Sequence, residues 1–252
     1  MEFSALTYSL LIGLAFIAGF ISSIAGSGGL LVLPALLAVG VPPLQALATN
    51  KFQSVFGTLS STINFFRRGH LDISALRGTL LCTFLGACLG TLAVQQLDPA
   101  FLKGLLPYFL LLLAVYVMIS PSVTVDSTQE ARWSAGRFAV WAGGGIGFYG
   151  GFLGPAMGSF FSLAFVGLRR FDLLQATAAS KPLILMANAT SVVLFVQAGL
   201  VFWPLALTMA GAQVVGARLG STMAMRKGTQ FIRPMLLSVL VLLSLKLLFF
   251  PV

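Results

Sequence analysis

Long apolar runs, separated by short polar stretches, fill almost the whole chain. Because about 20 apolar residues cross the hydrocarbon core of a bilayer as a helix, the runs predict membrane-spanning helices. Glycine-rich stretches near residues 28 and 158 interrupt this pattern, and the apolar arm after the first is too short to span. Irregular backbone at membrane depth is tolerated where protein or a water-filled cavity satisfies it. We therefore predict a re-entrant hairpin at the start of each half.

The predicted fold is an all-α polytopic membrane protein built from two inverted repeats. Each repeat is a re-entrant broken-helix hairpin followed by three transmembrane helices, and the repeats cover residues 1–119 and 138–252. The predicted boundaries are a hairpin at 5–40, crossings at 44–66, 73–95 and 101–119, a cytoplasmic linker at 120–137, a second hairpin at 138–168, and crossings at 173–196, 204–225 and 234–250.

An internal repeat, in which one constant register relates the first half to the second, supports this division. Residues 45–51 and 175–181 share the pattern Gln-Ala-x-Ala-x-x-Lys. Residues 86–90 and 216–220 share Gly-Ala-x-Leu-Gly in the same register. A common register without gaps favours duplication of one unit over coincidence of composition.

Composition and charge fix the class of protein. Hydrophobic residues make up 58% of the chain, charged residues only 8%, and the mean hydropathy is +0.99, which excludes a water-soluble domain. The net charge of +9 lies mostly in short clusters between apolar runs, as the positive-inside rule predicts, so we expect no nucleic-acid partner. Re-entrant hairpins place these basic loops in the cytoplasm and both termini outside. We expect a multi-pass protein of the cell inner membrane.

Two lysines are the strongest candidates for chemistry. Lys51 and Lys181 lie at matching positions of the repeat, each several residues inside a predicted crossing. Charged residues within a span are costly and mark functional sites, although a lysine stem also reaches the membrane surface by snorkelling. In an inverted pair, one lysine lies nearer the outside and the other nearer the inside. That placement suits the two ends of one central cationic site.

Polar neighbours and glycine tips complete a predicted anion site. Free backbone N–H groups and half-helix N-termini at the tips favour anions through the helix dipole. Helix packing accounts equally well for the polar side chains, because they also form hydrogen bonds between membrane helices. The predicted substrate-binding residues are Lys51, Lys181, Asn50, Ser180, Thr49, Gly28, Gly29, Gly158, Ser159, Asn188 and Gln53.

Several other chemistries are disfavoured. Every acidic residue falls in a terminus or a predicted loop, whereas a proton relay or cation site normally needs a carboxylate within a span. His70 is the only histidine, and Cys82 and Cys88 do not have metal-ligand spacing. Walker-type phosphate loops are absent from the sequence as well. We predict no catalytic residue, no metal and no cofactor.

Several stretches of the sequence resemble the TauE/SafE sulfite exporter family, and the resemblance covers nearly the whole chain. They are the glycine tip 26–29, Pro34, residues 45–50, the turn 67–72 and the glycine-rich run that opens the second half. The resemblance implies a cytoplasmic-membrane permease that moves sulfite, sulfoacetate or related organosulfur anions, generally outward. It also implies helices that dip halfway into the membrane at the start of each half.

The leading functional hypothesis is therefore a permease that exports sulfite or organosulfonate-type anions through a central cationic site between the repeats. A membrane enzyme or assembly factor acting on a lipid or a sulfur carrier is the alternative. The expected partners are a small anionic substrate, the lipid bilayer and a second copy of the chain in a homodimer.

Overall fold

The computed structural model describes residues 3–106, 108–109 and 130–227, and all regular structure in these residues is helical. The helices of the first half are α1 (Ala5–Ala25), α2 (Gly29–Ala38), α3 (Pro43–Arg67), a 3₁₀ turn (Ser74–Leu76), α4 (Arg77–Gln95) and α5 (99–106). Those of the second half are α6 (Ala135–Phe138), a π-helical turn (Ala139–Gly144), α7 (Gly145–Phe152), α8 (Met157–Arg169), α9 (Leu173–Gln197) and α10 (Trp203–Lys227).

The described helices are those of a membrane protein, as the sequence predicts. By length and composition, α1, Ser74–Gln95 and α9 can cross a membrane. Helices α3 and α10 each contain 25 residues, about 37 Å at 1.5 Å per residue. Many buried polar side chains lie in α3, and two, Gln213 and Ser221, lie in α10. The predicted crossing at 234–250 and residues 110–119 of another lie outside the described residues.

The backbone repeats in the register seen in the sequence. Helices α3 and α9 have the same length and begin at the corresponding residues Pro43 and Leu173. Left-handed backbone conformations also recur in this register after matching helices. The pairs are Gly26 with Ala156, Gly40 with Arg170, and Gly69 with Gly199. Equivalent helices therefore end in equivalent turns in the two halves.

The second half begins its helical structure earlier than predicted. Helix α6 starts at Ala135, inside the predicted linker 120–137, because the Ser134 hydroxyl accepts a hydrogen bond from the Arg137 N–H at 3.3 Å and caps the helix. Residues 130–134 are not helical, and residues 120–129 lie outside the described part of the chain.

The two glycine-rich tips touch each other. The Gly158 N–H donates to the carbonyl oxygen of Gly26 at 3.2 Å, and the Ser159 hydroxyl donates to the carbonyl oxygen of Ala25 at 2.8 Å. In each half a helix breaks, turns and restarts, as a helix of 10 residues in the first half and of 13 residues in the second. The depth of these tips in a bilayer, and hence the re-entrant path, stays a prediction.

The two halves pack in a crossed arrangement. Helix α1 lies against α10 of the second half, and α7 lies against α4 of the first. A side chain at Gly216 would collide with the carbonyl oxygen of Phe16, and one at Gly86 with that of Gly144. The repeated Gly-Ala-x-Leu-Gly pattern thus marks two helix contacts between the halves.

Replacement of a contact glycine should destabilise the protein. We expect Gly216→Ala to lower the free energy of unfolding by about 1 to 3 kcal/mol, because its methyl group meets the backbone of α1. Gly211→Ala is the matched control on the same helix, since nothing lies within 4 Å of its added carbon atom. Alanine there should leave stability unchanged or raise it by up to about 1 kcal/mol. Thermal unfolding of the purified variants in detergent measures both, and equal stability would contradict the crossed packing.

Candidate functional site

The ammonium group of Lys51 lies inside the protein, at the C-terminal end of α7. The side chain is only 1% exposed. Its Nζ donates hydrogen bonds to the carbonyl oxygens of Gly150 and Gly151, the latter at 2.9 Å, and to the hydroxyl oxygen of Ser191 at 3.2 Å. A lysine ammonium has three N–H donors. The protein itself therefore uses every donor of Lys51.

Further hydrogen bonds hold these acceptors in place. The Ser191 hydroxyl donates to the carbonyl oxygen of Ala187 at 2.9 Å. The Thr91 hydroxyl lies 2.7 Å from the Ser191 hydroxyl and 3.2 Å from the carbonyl oxygen of Gly151. Side chains from α3, α4 and α9 thus meet at the end of α7, and Lys51 belongs to a fully connected polar network.

Lys181 occupies the matching position in α9 but has fewer partners. The side chain is 0% exposed, and Nζ donates to the carbonyl oxygen of Ser22, in the last turn of α1, at 2.9 Å. No second acceptor for this Nζ lies among the described residues. Two of its three donors are therefore unfilled by the described part of the protein.

Both lysines bind the end of a helix that belongs to the other half. The last four carbonyl groups of a helix have no partner within it and carry the negative end of the helix dipole. Lys51 thus caps α7, and Lys181 caps α1. Snorkelling, the alternative for each lysine, does not describe either side chain, because both point into the protein.

Asn50 and Gln53 lie next to the tip of the first hairpin. The Asn50 Oδ1 accepts a hydrogen bond from Gln53 Nε2 at 3.3 Å. A carbon atom added to Gly29 would lie 3.3 Å from the Asn50 amide nitrogen, so the amide faces the tip. The buried Gln53 Oε1 has no hydrogen-bond partner within the described residues. Two predicted site residues therefore present amide groups near the turn.

The remaining predicted polar residues are buried, and two of them form structural hydrogen bonds. The Thr49 hydroxyl accepts from the N–H of Phe202 at 3.2 Å. The Ser180 hydroxyl donates to the carbonyl oxygen of Thr177, in its own helix, at 2.7 Å. Asn188 is 6% exposed. Roles for these residues in substrate binding stay predictions.

The tip residues face protein rather than open space. Gly28 packs on its own arm, because an added carbon atom would collide with the backbone of Ala18. Gly158 lies against Gly26, and the Ser159 hydroxyl is used by the first hairpin. The tips therefore form a closed contact between the halves.

A small polar cavity opens between α1, α3 and α10. Its enclosed volume is about 10 Å³, which is room for about one water molecule. Ser22, whose carbonyl oxygen binds Lys181, lies in its wall. The polar side chains that line it are Ser22, Ser23, Ser54, Thr58, Ser61 and Gln213.

Sequence reasoning missed several residues of this region. The Ser191 hydroxyl accepts a hydrogen bond from Lys51, and the Thr91 hydroxyl is hydrogen-bonded to that of Ser191. Gln213 lines the cavity. The available signal was a polar side chain inside an otherwise apolar run, which applies to all three. Ser22 acts through its backbone, and a carbonyl group has no signature in the sequence.

Buried, hydrogen-bonded cations between apolar helices that cross a membrane are typical of a membrane transporter. Comparison with known sequences supports the same class of protein. The family described as "Sulfite exporter TauE/SafE" matches residues 11–247, and the chain belongs to this family. It is a multi-pass membrane transporter and not an enzyme, which sets aside the alternative of an enzyme acting on a lipid or sulfur carrier.

Relatives among known proteins have consistent names. The chain is 42% identical to "Probable membrane transporter protein YfcA" of Escherichia coli (strain K12), over 98% of this chain and 91% of the relative. It is 41% identical to "Probable membrane transporter protein ORF9" of Sinorhizobium sp, over 94% and 90%. It is 37% identical to a "Probable membrane transporter protein" of Haemophilus influenzae, over 96% and 94%. No solved structure matches the chain.

The two lysines should differ in their effect on stability. Lys51→Met removes three hydrogen bonds, whereas Lys181→Met removes one. Hydrogen bonds to charged groups contribute about 1.5 to 3 kcal/mol each. We expect Lys51→Met to be less stable than Lys181→Met by about 2 kcal/mol or more. Melting temperatures of the purified variants measure this order, and the reverse order would contradict the capping roles.

Proposed function

We propose that the protein is a permease for small anions and that it exports sulfite or organosulfonate-type anions across the cell inner membrane. The anion binds between the two halves, at the cationic centre formed by Lys51 and Lys181. Lys181 is the group that contacts the anion, and Lys51 mainly holds α7 in place. Asn50 and Gln53 supply amide groups beside the first tip.

The observation that carries this proposal is the incomplete hydrogen bonding of a fully buried cation. Lys181 has one neutral acceptor, and every acidic residue in the described ranges lies outside the helices. A buried charge is costly unless it is paired and its donors are satisfied. An anion with several acceptor oxygens supplies both needs. The family description, which names a sulfite exporter, supports a sulfur oxyanion as that ligand.

Export needs no energy source beyond the membrane potential. With the cell interior negative, departure of one negative charge is favoured by about 2.3 kcal/mol per 100 mV. A selective path for the anion is then sufficient. The absence of a Walker-type phosphate loop from the sequence agrees with this mode of transport.

The proposed path requires the two halves to be inverted in the membrane, with the basic loops in the cytoplasm. We expect the turn after α3 to be cytoplasmic and the equivalent turn after α9 to be external. His70→Cys and Ala198→Cys place a thiol on each exposed turn, in a background in which Cys82 and Cys88 are replaced by alanine. An impermeant thiol reagent added outside intact cells should label only the second variant. Equal labelling of both would end the inverted-repeat proposal.

Transport itself should depend on Lys181. In liposomes that contain only this protein, Lys181→Met should reduce the flux of labelled sulfite at least tenfold, because the anion loses its charged partner. Lys181→Arg should keep part of the flux, since the charge remains while the planar guanidinium differs in shape from an ammonium.

Lys103→Met is the matched control for this experiment. Lys103 is exposed on α5, so the same change in chemistry there should leave flux unchanged. The amount of folded protein in the liposomes is measured for each variant. Normal flux through Lys181→Met would refute the central anion site.

A further inference from the structure

The cavity between α1, α3 and α10 has an unusual balance of hydrogen-bonding groups. Three of its hydroxyl groups already donate their only proton to backbone carbonyl oxygens. Ser23 donates to Phe20 at 2.8 Å, Thr58 to Ser54 at 2.6 Å, and Ser61 to Thr58 at 3.0 Å. A hydroxyl that has donated its proton can only accept. These three oxygens therefore present acceptors to anything in the cavity.

Gln213 adds an unpaired amide group to this wall. The residue is 2% exposed, its Oε1 is buried without a partner, and no hydrogen bond to its side chain occurs within the described ranges. An amide presents an acceptor and a donor side by side. A ligand hydroxyl group satisfies both, because it donates to the oxygen and accepts from the nitrogen. A fully deprotonated oxyanion satisfies only the donor, and an alkyl group satisfies neither.

Ser22 connects this cavity to the buried cation. Ser22 lines the cavity, and its carbonyl oxygen accepts a hydrogen bond from Lys181 Nζ at 2.9 Å. A hydroxyl group in the cavity lies beside the Gln213 amide and beside Ser22, whose carbonyl oxygen binds the Lys181 ammonium. The enclosed volume of about 10 Å³ admits one group of the size of a hydroxyl, so the rest of the ligand lies outside the cavity.

We propose that this cavity is a subsite that recognises a hydroxyl group on the transported anion. The O–H belongs either to a protonated oxyacid or to a hydroxyalkyl sulfonate, and its partner is the amide of Gln213. The inference rests on the proposed function, to which it adds a selection among anions by a hydrogen-bond donor on the ligand.

The matching positions in the other half of the repeat do not carry the polar residues that line this cavity. In the register of the repeat, Ser22 corresponds to Phe152 and Ser54 to Ile184. Gln213 corresponds to Thr83, whose hydroxyl donates to the carbonyl oxygen of Gly143 at 3.2 Å. Bulky apolar residues thus replace two of the hydroxyls. The polar cavity is therefore not a general consequence of how the repeat packs.

Binding of matched probes to the purified full chain in detergent tests the subsite. The first pair is 2-hydroxyethanesulfonate and propane-1-sulfonate, which differ by a hydroxyl in place of a methyl group. The second pair is phosphate, which keeps an O–H at neutral pH, and sulfate, which does not. We expect the O–H-bearing member of at least one pair to bind about five- to tenfold more tightly. The pair that shows this preference identifies the source of the hydroxyl.

Variants of residues in the cavity test whether the preference for O–H-bearing probes depends on Gln213. Gln213→Met keeps the length of the side chain and should reduce the preference to about onefold. Ser54→Ile introduces the residue found at the matching place in the other half and should weaken the O–H-bearing probe by filling the cavity. Thr208→Val is the control, since Thr208 is exposed on α10 and its hydroxyl donates within the helix, to Pro204 at 2.9 Å.

The outcomes separate this inference from the proposed function. A preference that survives in Gln213→Met overturns the subsite, and so does the absence of any preference in the unmodified protein, as expected for a cavity that holds only water. Sulfite flux without a hydroxyl preference leaves the permease proposal intact and removes the subsite. A Gln213-dependent preference in a protein that transports no anion supports the subsite and contradicts the permease proposal.

Discussion

A lysine ammonium buried among membrane-crossing helices needs acceptors, and within a helical fold only the helix ends offer backbone carbonyl oxygens without partners. Both buried lysines meet this constraint through the breaks in the hairpin arms. Helix α1 stops before Gly26 and α7 stops at Phe152, and carbonyl groups in their last turns accept from the lysine of the opposite half. The carbonyl oxygen of Ser22 also accepts from the Gly26 N–H at 2.8 Å. The buried cations therefore depend on the helix breaks and on the left-handed turns that follow them.

The same requirement explains the small residues at the helix contacts. A lysine reaches the end of a helix in the other half only if the helices lie close together. An added carbon atom on Gly19 would meet the backbone of Gln213, and one on Gly151 would collide with the backbone of Ala87. These glycines bring the arms against α10 and α4. Close approach of the arms and capping by the lysines then stabilise the same interface.

Much of this arrangement was accessible from the sequence, but the partners of the lysines were not. The register of the repeat and the placement of Lys51 and Lys181 inside two long helices follow from patterns of residue type. Backbone carbonyl acceptors have no such pattern, so the sequence does not reveal that Lys51 lies in a closed hydrogen-bond network. The second turn is predicted from its glycines, but its left-handed residue at the place that matches Gly26 is Ala156, which no glycine marks in the sequence.

On the proposed function, duplication separates two roles that a single lysine would have to combine. A cation that caps a helix must keep its acceptors, whereas a cation that binds a passing anion must have donors to offer. Lys51 has three protein acceptors, and Lys181 has one among the described residues, although both lie at the same place in the repeat. On the proposed function, the first fixes the geometry of the centre, and the second contacts the substrate. Divergence of the surroundings, Ser191 and Thr91 beside one lysine and the cavity beside the other, is sufficient to produce this difference.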